Sequence, residues 1–179
     1  RDFNKEFKIK IFSQILSLLI ILSLPSTAVT QTATDAAFPK QVEIFGIKIF
    51  ATQSVPDNKV LHAAKVMAEY LDNDENGSVD NTAVVNAMVA ANAFLVMASS
   101  ESEEERLFDS LPFGESQNLF GFETRPEGSS SEGFDATLEE VLHLISVHGY
   151  ARAHPAAFAE SVSANSSLTR AMDTARGGK

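Results

Sequence analysis

The chain has 179 residues, 24 of them acidic and 14 basic, with a formal net charge of −10 and no cysteine. An acidic surface of this kind repels nucleic acid and anionic lipid headgroups and attracts cations, so nucleic acid is excluded as an expected partner and metal ions are favoured. Without thiols there is no disulfide framework and no thiolate metal site, so any bound metal is expected to use carboxylate, imidazole or carbonyl donors.

Arg1, Lys5, Lys8 and Lys10 precede an apolar run from Ile11 to Leu24, which ends in the small residues of Pro25-Ser26-Thr27-Ala28. That order is the n-region, h-region and cleavage site of a secretory signal peptide over 1–28. The run is 14 residues long and includes Gln14, short of the roughly 20 apolar residues of a spanning helix. No stable membrane insertion is therefore expected after cleavage, and an extracellular or periplasmic location follows. Loss of four basic and two acidic residues with this segment leaves 10 basic and 22 acidic residues, a net charge of −12. A flexible leader is expected over 29–38 and a single mainly helical domain over 39–179. The chain starts at Arg1 and stops at Arg176-Gly177-Gly178-Lys179, just past an expected helix end, so a C-terminal truncation is also expected.

Val42–Thr52 is β-rich with Gly46 near its middle and reads as a short hairpin or bent strand. After Pro56, the spacing of Val60, Ala64, Met67 and Leu71 predicts an amphipathic helix over Asp57–Leu71. A polar loop, DNDENGSVDN, follows. Val84, Val85, Met88, Val89, Leu95 and Val96 predict a second helix from Thr82 to Met97, capped by Asp80 or Asn81, with Asn92 as a polar interruption. Residues 99–133 mix Ser, Gly, Pro and Phe and read as a long surface excursion, opened by a short helix at SSESEEER. Thr137-Leu138-Glu139-Glu140 has a capping-box pattern ahead of an apolar face, and Gly149 is placed to end that helix. His154-Pro155 opens a further helix to about Val162, and Ser166 or Ser167 caps a last one ending before Gly177. The expected fold class is thus mainly α: a helix-loop-helix plus further helices, with a small N-terminal β-hairpin.

The polar loop carries oxygen donors at alternating positions. Asp72, Asp74 and Asn76 stand at loop positions one, three and five, Gly77 at the sharp bend, Ser78 offers its carbonyl, and Asp80 stands at position nine, as a chain winding around calcium requires. Over about 12 loop residues and both flanking helices this resembles the EF-hand family. It departs at position twelve, where Ala83 replaces the bidentate glutamate, and the resemblance then implies a weak structural calcium site. The plainer reading is a solvated turn, in which Asp and Asn favour loop backbone and Asp80 or Asn81 caps the next helix.

Glu139-Glu140-Val141-Leu142-His143 places a carboxylate and an imidazole at i and i+4 on one helix face. Glu139 and His143 are candidate zinc ligands, with Glu140 as general base on a zinc-bound water and His148 or His154 as further ligands. Here the chain resembles the zincin metallopeptidases over one helix, with EExxH in place of HExxH and with Ser146 and Gly149 where the extended motif has Gly and His. Glu140-x-x-His143 is also half of a di-iron carboxylate pattern, for which no second half is present. The plainer reading assigns Glu139 and Glu140 to the favourable first helical turn and His143 to the surface. His62, on the helix before the acidic loop, reads as a packed or partly exposed histidine. The phrases VLHAAKVMAEYLDNDENGSVDN and LEEVLHLISVHGYARAHP look like a secreted family of uncharacterised function that pairs a DxDxxG loop with an EExxH helix.

Two functional readings follow. One is a secreted zincin-like metal-dependent hydrolase acting on protein or peptide, with a structural calcium loop. The other is a non-enzymatic, calcium-stabilised extracellular binding or structural domain. A serine hydrolase ranks below both, since no GxSxG setting is present.

Overall fold

The computed structural model describes residues 33–130 and 133–178. The expected signal peptide lies outside the described residues, as do 29–32 of the expected leader. Residues 33–37 of that leader are helical, and Thr34 and Phe38 are buried.

The fold is α/β, which corrects the expectation of a mainly α domain with a small hairpin. Strands β1 (Lys40–Ile44), β2 (Ile47–Ala51), β3 (Ala93–Ala98) and β4 (Glu115–Phe120) form one sheet in the order β1-β2-β3-β4. β1 and β2 are an antiparallel hairpin, whereas β2–β3 and β3–β4 are parallel. The hairpin turns on Phe45 and Gly46, both at positive φ (51° and 86°), the two-residue turn whose twist matches the flanking strands.

Between β2 and β3 lie α1 (Asp57–Leu71) and α2 (Thr82–Ala90), joined by the acidic loop. Val60, Ala63, Ala64, Met67 and Leu71 bury one stripe of α1, and Asp57 in its first turn favours the helix dipole. The second expected helix ends seven residues early. Asn92 takes φ +48°, a left-handed conformation that breaks the helix, and Ala93–Ala98 continues as a strand with all six residues buried. A strand covered on both faces has a continuous apolar run, and such a run carries no period to separate it from a buried helix.

After β3 come α3 (Glu101–Leu107), capped by Ser100, a 3-10 turn (Phe108–Ser110) and β4. The expected surface excursion therefore contains an edge strand of the sheet. α4 (Thr137–Ile145) runs into a π-turn (Ser146–Tyr150) and α5 (Ala151–Ala153). The helix does not end at Gly149. That residue instead lets the π-turn approach α2, where a Cβ would meet Val84 Cγ1 at 2.7 Å and Met88 Cγ at 3.1 Å. α6 (Pro155–Phe158) is shorter than expected, and α7 (Ser167–Ala175) is capped by Ser166, whose side chain accepts from Thr169 N.

Side-chain alternation across the strands divides the interior in two. Ile47, Ile49, Ala51, Leu95 and Met97 face α1, α2 and α4 in the main core. Phe50, Phe94 and Val96 face the other way and join Phe38, with Leu107 and Leu111 packed at the edge of that cluster. The rings of Phe50 and Phe94 meet edge-on at 5.4 Å. Each large side chain so buried contributes about 1.5–3 kcal/mol. The two crossovers thus cover opposite faces of the sheet.

Candidate metal centre

The acidic loop begins where α1 ends. Asp72 closes the helix, its N–H donating to Ala68 O, and its buried carboxylate turns back into the loop. Asn76 N donates to Asp72 Oδ1 (3.1 Å) and Gly77 N to Asp72 Oδ2 (2.8 Å). Asn73 N donates to Asp80 Oδ2 (2.9 Å), and Asp80 N to Leu71 O (2.9 Å). Asn76 Nδ2 donates to Asp74 Oδ2 and Asn76 Oδ1 accepts from Ser78 N. Gly77 sits at φ +85° with open space around it, so the backbone angle, not crowding, demands glycine there.

This wrapping brings carboxylate oxygens of Asp72, Asp74 and Asp80 within 4.8 Å of one another. Among the described residues it is the group of three acidic or imidazole side chains that converges in this way. Asn76 and Ser78 lie in the same loop. Asn81 caps α2 through Val84 N (3.2 Å). Ala83, on the first turn of α2, is exposed.

The second set of expected ligands is spread over three places. On α4, His143 Nε2 lies 3.9 Å from Glu139 Oε1 and His143 Nδ1 lies 3.9 Å from Glu140 Oε2, with Glu139 and His143 more than half exposed. Glu140 Oε2 also accepts from Gln117 Nε2 on β4 (2.5 Å). Burial pushes the Glu140 carboxyl up, against the hydrogen bond from Gln117 and the proximity of His143. His148 is buried in the π-turn, its Nδ1 without a partner, and burial lowers its basicity. His154 Nε2 lies 3.3 Å from Asn81 Nδ2, beside the start of α2. The structure therefore holds Glu139, Glu140 and His143 on one helix and brings neither His148 nor His154 into a converging donor group with them.

No family model, curated protein or solved structure matches this chain. The geometry of its own residues is accordingly what bears on function. None of the helices in the described residues is long and apolar enough to cross a membrane.

Two carboxylates outside the expected sites form conspicuous networks. Asp135, 2 % exposed, places Oδ2 2.7 Å from His62 Nε2 and accepts at Oδ1 from Arg125 N and Thr137 N. Burial pushes its carboxyl up, but these hydrogen bonds outweigh that and hold it below the usual range. Asp135 rather than Thr137 thus receives the first N–H of α4. Its place two residues before Thr137 was a visible signal, whereas its partner lies 73 positions away. Glu103 accepts from Ser54 Oγ, Thr52 Oγ1 and both Ser99 N and Oγ, joining α3 to the end of β2.

Proposed function

We propose that the chain is a non-enzymatic, calcium-stabilised extracellular domain of the binding or structural kind, in which the loop between α1 and α2 holds the cation. The observation that supports this reading is the convergence of Asp72, Asp74 and Asp80 within 4.8 Å. Three carboxylates so close repel one another, and a divalent cation relieves that repulsion. Calcium suits the site because its shell is large, flexible and all-oxygen, and because the carbonyl of Ser78 and the amide of Asn76 stand in the same loop.

With Ala83 in place of a bidentate carboxylate, the expected dissociation constant is about 10⁻⁴–10⁻³ M, a range that extracellular calcium fills. The role is structural, since α1 and α2 both wall the main core and the ion joins them. Binding to the folded state alone at about tenfold excess over Kd would add about 1.4 kcal/mol.

Thermal unfolding with and without calcium at matched ionic strength tests the proposal. An upward shift with calcium, reversed by chelator and absent in Asp72→Asn, is expected. The same melting temperature in calcium, in magnesium and in chelator would remove it.

A second reading, the zinc-dependent hydrolase, draws support from one observation: Glu140 is a partly buried carboxyl beside His143, as a general base would be. Glu139 and His143 would be its ligands, and a protein or peptide its substrate.

A further inference from the structure

His148 is a buried ionisable group that neither functional reading uses. It is 8 % exposed, and its Nδ1 is shielded from solvent and has no hydrogen-bond partner. Among the described residues it belongs to no ion pair. Buried polar side-chain atoms are normally hydrogen-bonded, so an orphan of this kind marks a side chain held in place by its surroundings.

Those surroundings are a seam between two helices. α4 passes through the π-turn into α5 without a break, and a π-turn inside an α-helix is a rare geometry that packing must sustain. The packing is supplied at Gly149, the next residue, whose approach to α2 leaves no room for one methyl group beside Val84 and Met88. With the two elements so close, the π-turn cannot rearrange without disturbing α2.

The chemistry of the ring makes this seam sensitive to acid. A neutral imidazole can keep its proton on Nε2 and leave Nδ1 bare, whereas the cation carries N–H at both nitrogens. Protonation thus creates a buried charge together with a buried donor that has no acceptor, and both are costly. Burial is the largest influence on the ring and holds it below the ordinary 6.5; Glu115 from β4 and Glu160 beyond α6 act against burial, and Arg152 from α5 acts with it. Arg152 Nη2 meets Glu115 Oε1 at 2.7 Å, so that carboxylate is already engaged. α2 and α6 carry no ionisable side chain. On α4, Glu140 is bonded to Gln117, while Glu139 and His143 are more than half exposed. Tyr150, in the same turn, packs its ring against His154 and Phe158.

We propose that His148 is an acid-sensitive latch, whose protonation just below neutral pH parts the π-turn from α2. The open seam takes up a proton from about pH 6.5 downward and the closed seam resists it, so closure is fully favoured above about 6.5 and is lost as pH falls from there through the folded value. A chain carried from neutral into mildly acidic surroundings opens here before ordinary carboxylates titrate at about 4.

Amide hydrogen exchange of the full chain between pH 7 and pH 5 tests the proposal, corrected for the intrinsic exchange rate and run in chelator so that calcium in the α1–α2 loop plays no part. Protection at Val84, Val85, Met88 and residues 146–150 should fall about fivefold or more over that range, while protection of β2 and β3 holds. His148→Gln, which takes up no proton, should show no such pH dependence whatever its protection at pH 7, and His148→Phe gives the same reading if the glutamine variant does not fold. His154→Gln, which removes the other histidine beside α2, should keep the full effect. Titration of the His148 ring in the native chain, followed by its NMR carbon shifts, should give a value below 6.5. A value at or above 6.5, an equal loss of protection in the native chain and the His148 variants, or disappearance of the loss in His154→Gln would each overturn the proposal.

Discussion

His62 Nε2 and Asp135 Oδ2 meet at 2.7 Å, joining the middle of α1 to the residue that leads into α4 across 73 positions of sequence. The same carboxylate receives Arg125 N and Thr137 N, so it ties three segments together in a buried setting. Removing Asp135 strands all of these donors, whereas removing His62 strands only the carboxylate. We expect Asp135→Ala to cost about 3–5 kcal/mol and His62→Ala about 2–3 kcal/mol. Urea unfolding measures both. Losses below about 1 kcal/mol for each would show that the pair is replaced by water without penalty.

In the proposed calcium loop, Ala83 occupies the place where a bidentate glutamate would complete the shell. Because it is exposed on the first turn of α2, a longer side chain can be accommodated, and a glutamate there also favours the helix dipole. Ala83→Glu should tighten calcium binding by about tenfold or more, read by isothermal titration. An unchanged affinity would mean that the loop does not wrap an ion in the expected sense.

For the helix with Glu139 and His143, zinc content would divide the variants by role if the hydrolase reading holds. Under the hydrolase reading, zinc should be lost in Glu139→Ala and His143→Ala and kept in Glu140→Ala, because a general base is not a ligand. Zinc content of the purified variants decides this, and equal content in all three would end the hydrolase reading.

Glu103 carries a pH signature. Burial pushes its carboxyl up, yet the hydrogen bonds from Ser54, Ser99 and Thr52 outweigh that and hold it down at about 2, against an ordinary 4.5. A depressed folded value means that the contribution is present above about pH 4.5 and is lost as pH falls from there through about 2. Discounted for solvent screening, it amounts to about 1–2 kcal/mol near neutral pH. The stability gap between the native chain and Glu103→Gln, followed by urea unfolding from pH 6 down to pH 2.5, should stay level at first and narrow below about pH 4.5. A gap that stays constant over that range would assign the effect to packing.

Gly149 tests the contact between the π-turn and α2. Alanine would gain about 0.5–1 kcal/mol of helix preference, but its Cβ would press on Val84 Cγ1 at 2.7 Å, on a stiff β-branched side chain. Overpacking of about 1–3 kcal/mol should win. Gly149→Ala is therefore expected to lower the melting temperature, and a rise would mean that α2 yields freely.

Much of the local structure was legible because its signals lie within a few residues of one another. The stripe of Val60, Ala64, Met67 and Leu71, the caps at Asn81 and Ser166, each one of two candidates, and the turn at Gly46 follow from spacing, side-chain hydrogen bonding or backbone angle. The loop from Asp72 to Asp80 belongs with them, since its oxygens converge through bonds made inside the loop itself. The sheet does not. Ala93–Ala98 is apolar throughout, and Glu115–Phe120 is a half-polar edge whose register exists only beside β3. Only the tertiary structure decided that these were strands, that His148 and His154 lie apart from Glu139 and His143, and that Asp135 meets His62. Pairings across tens of residues depend on how elements pack, and a single chain of letters has no period that encodes them.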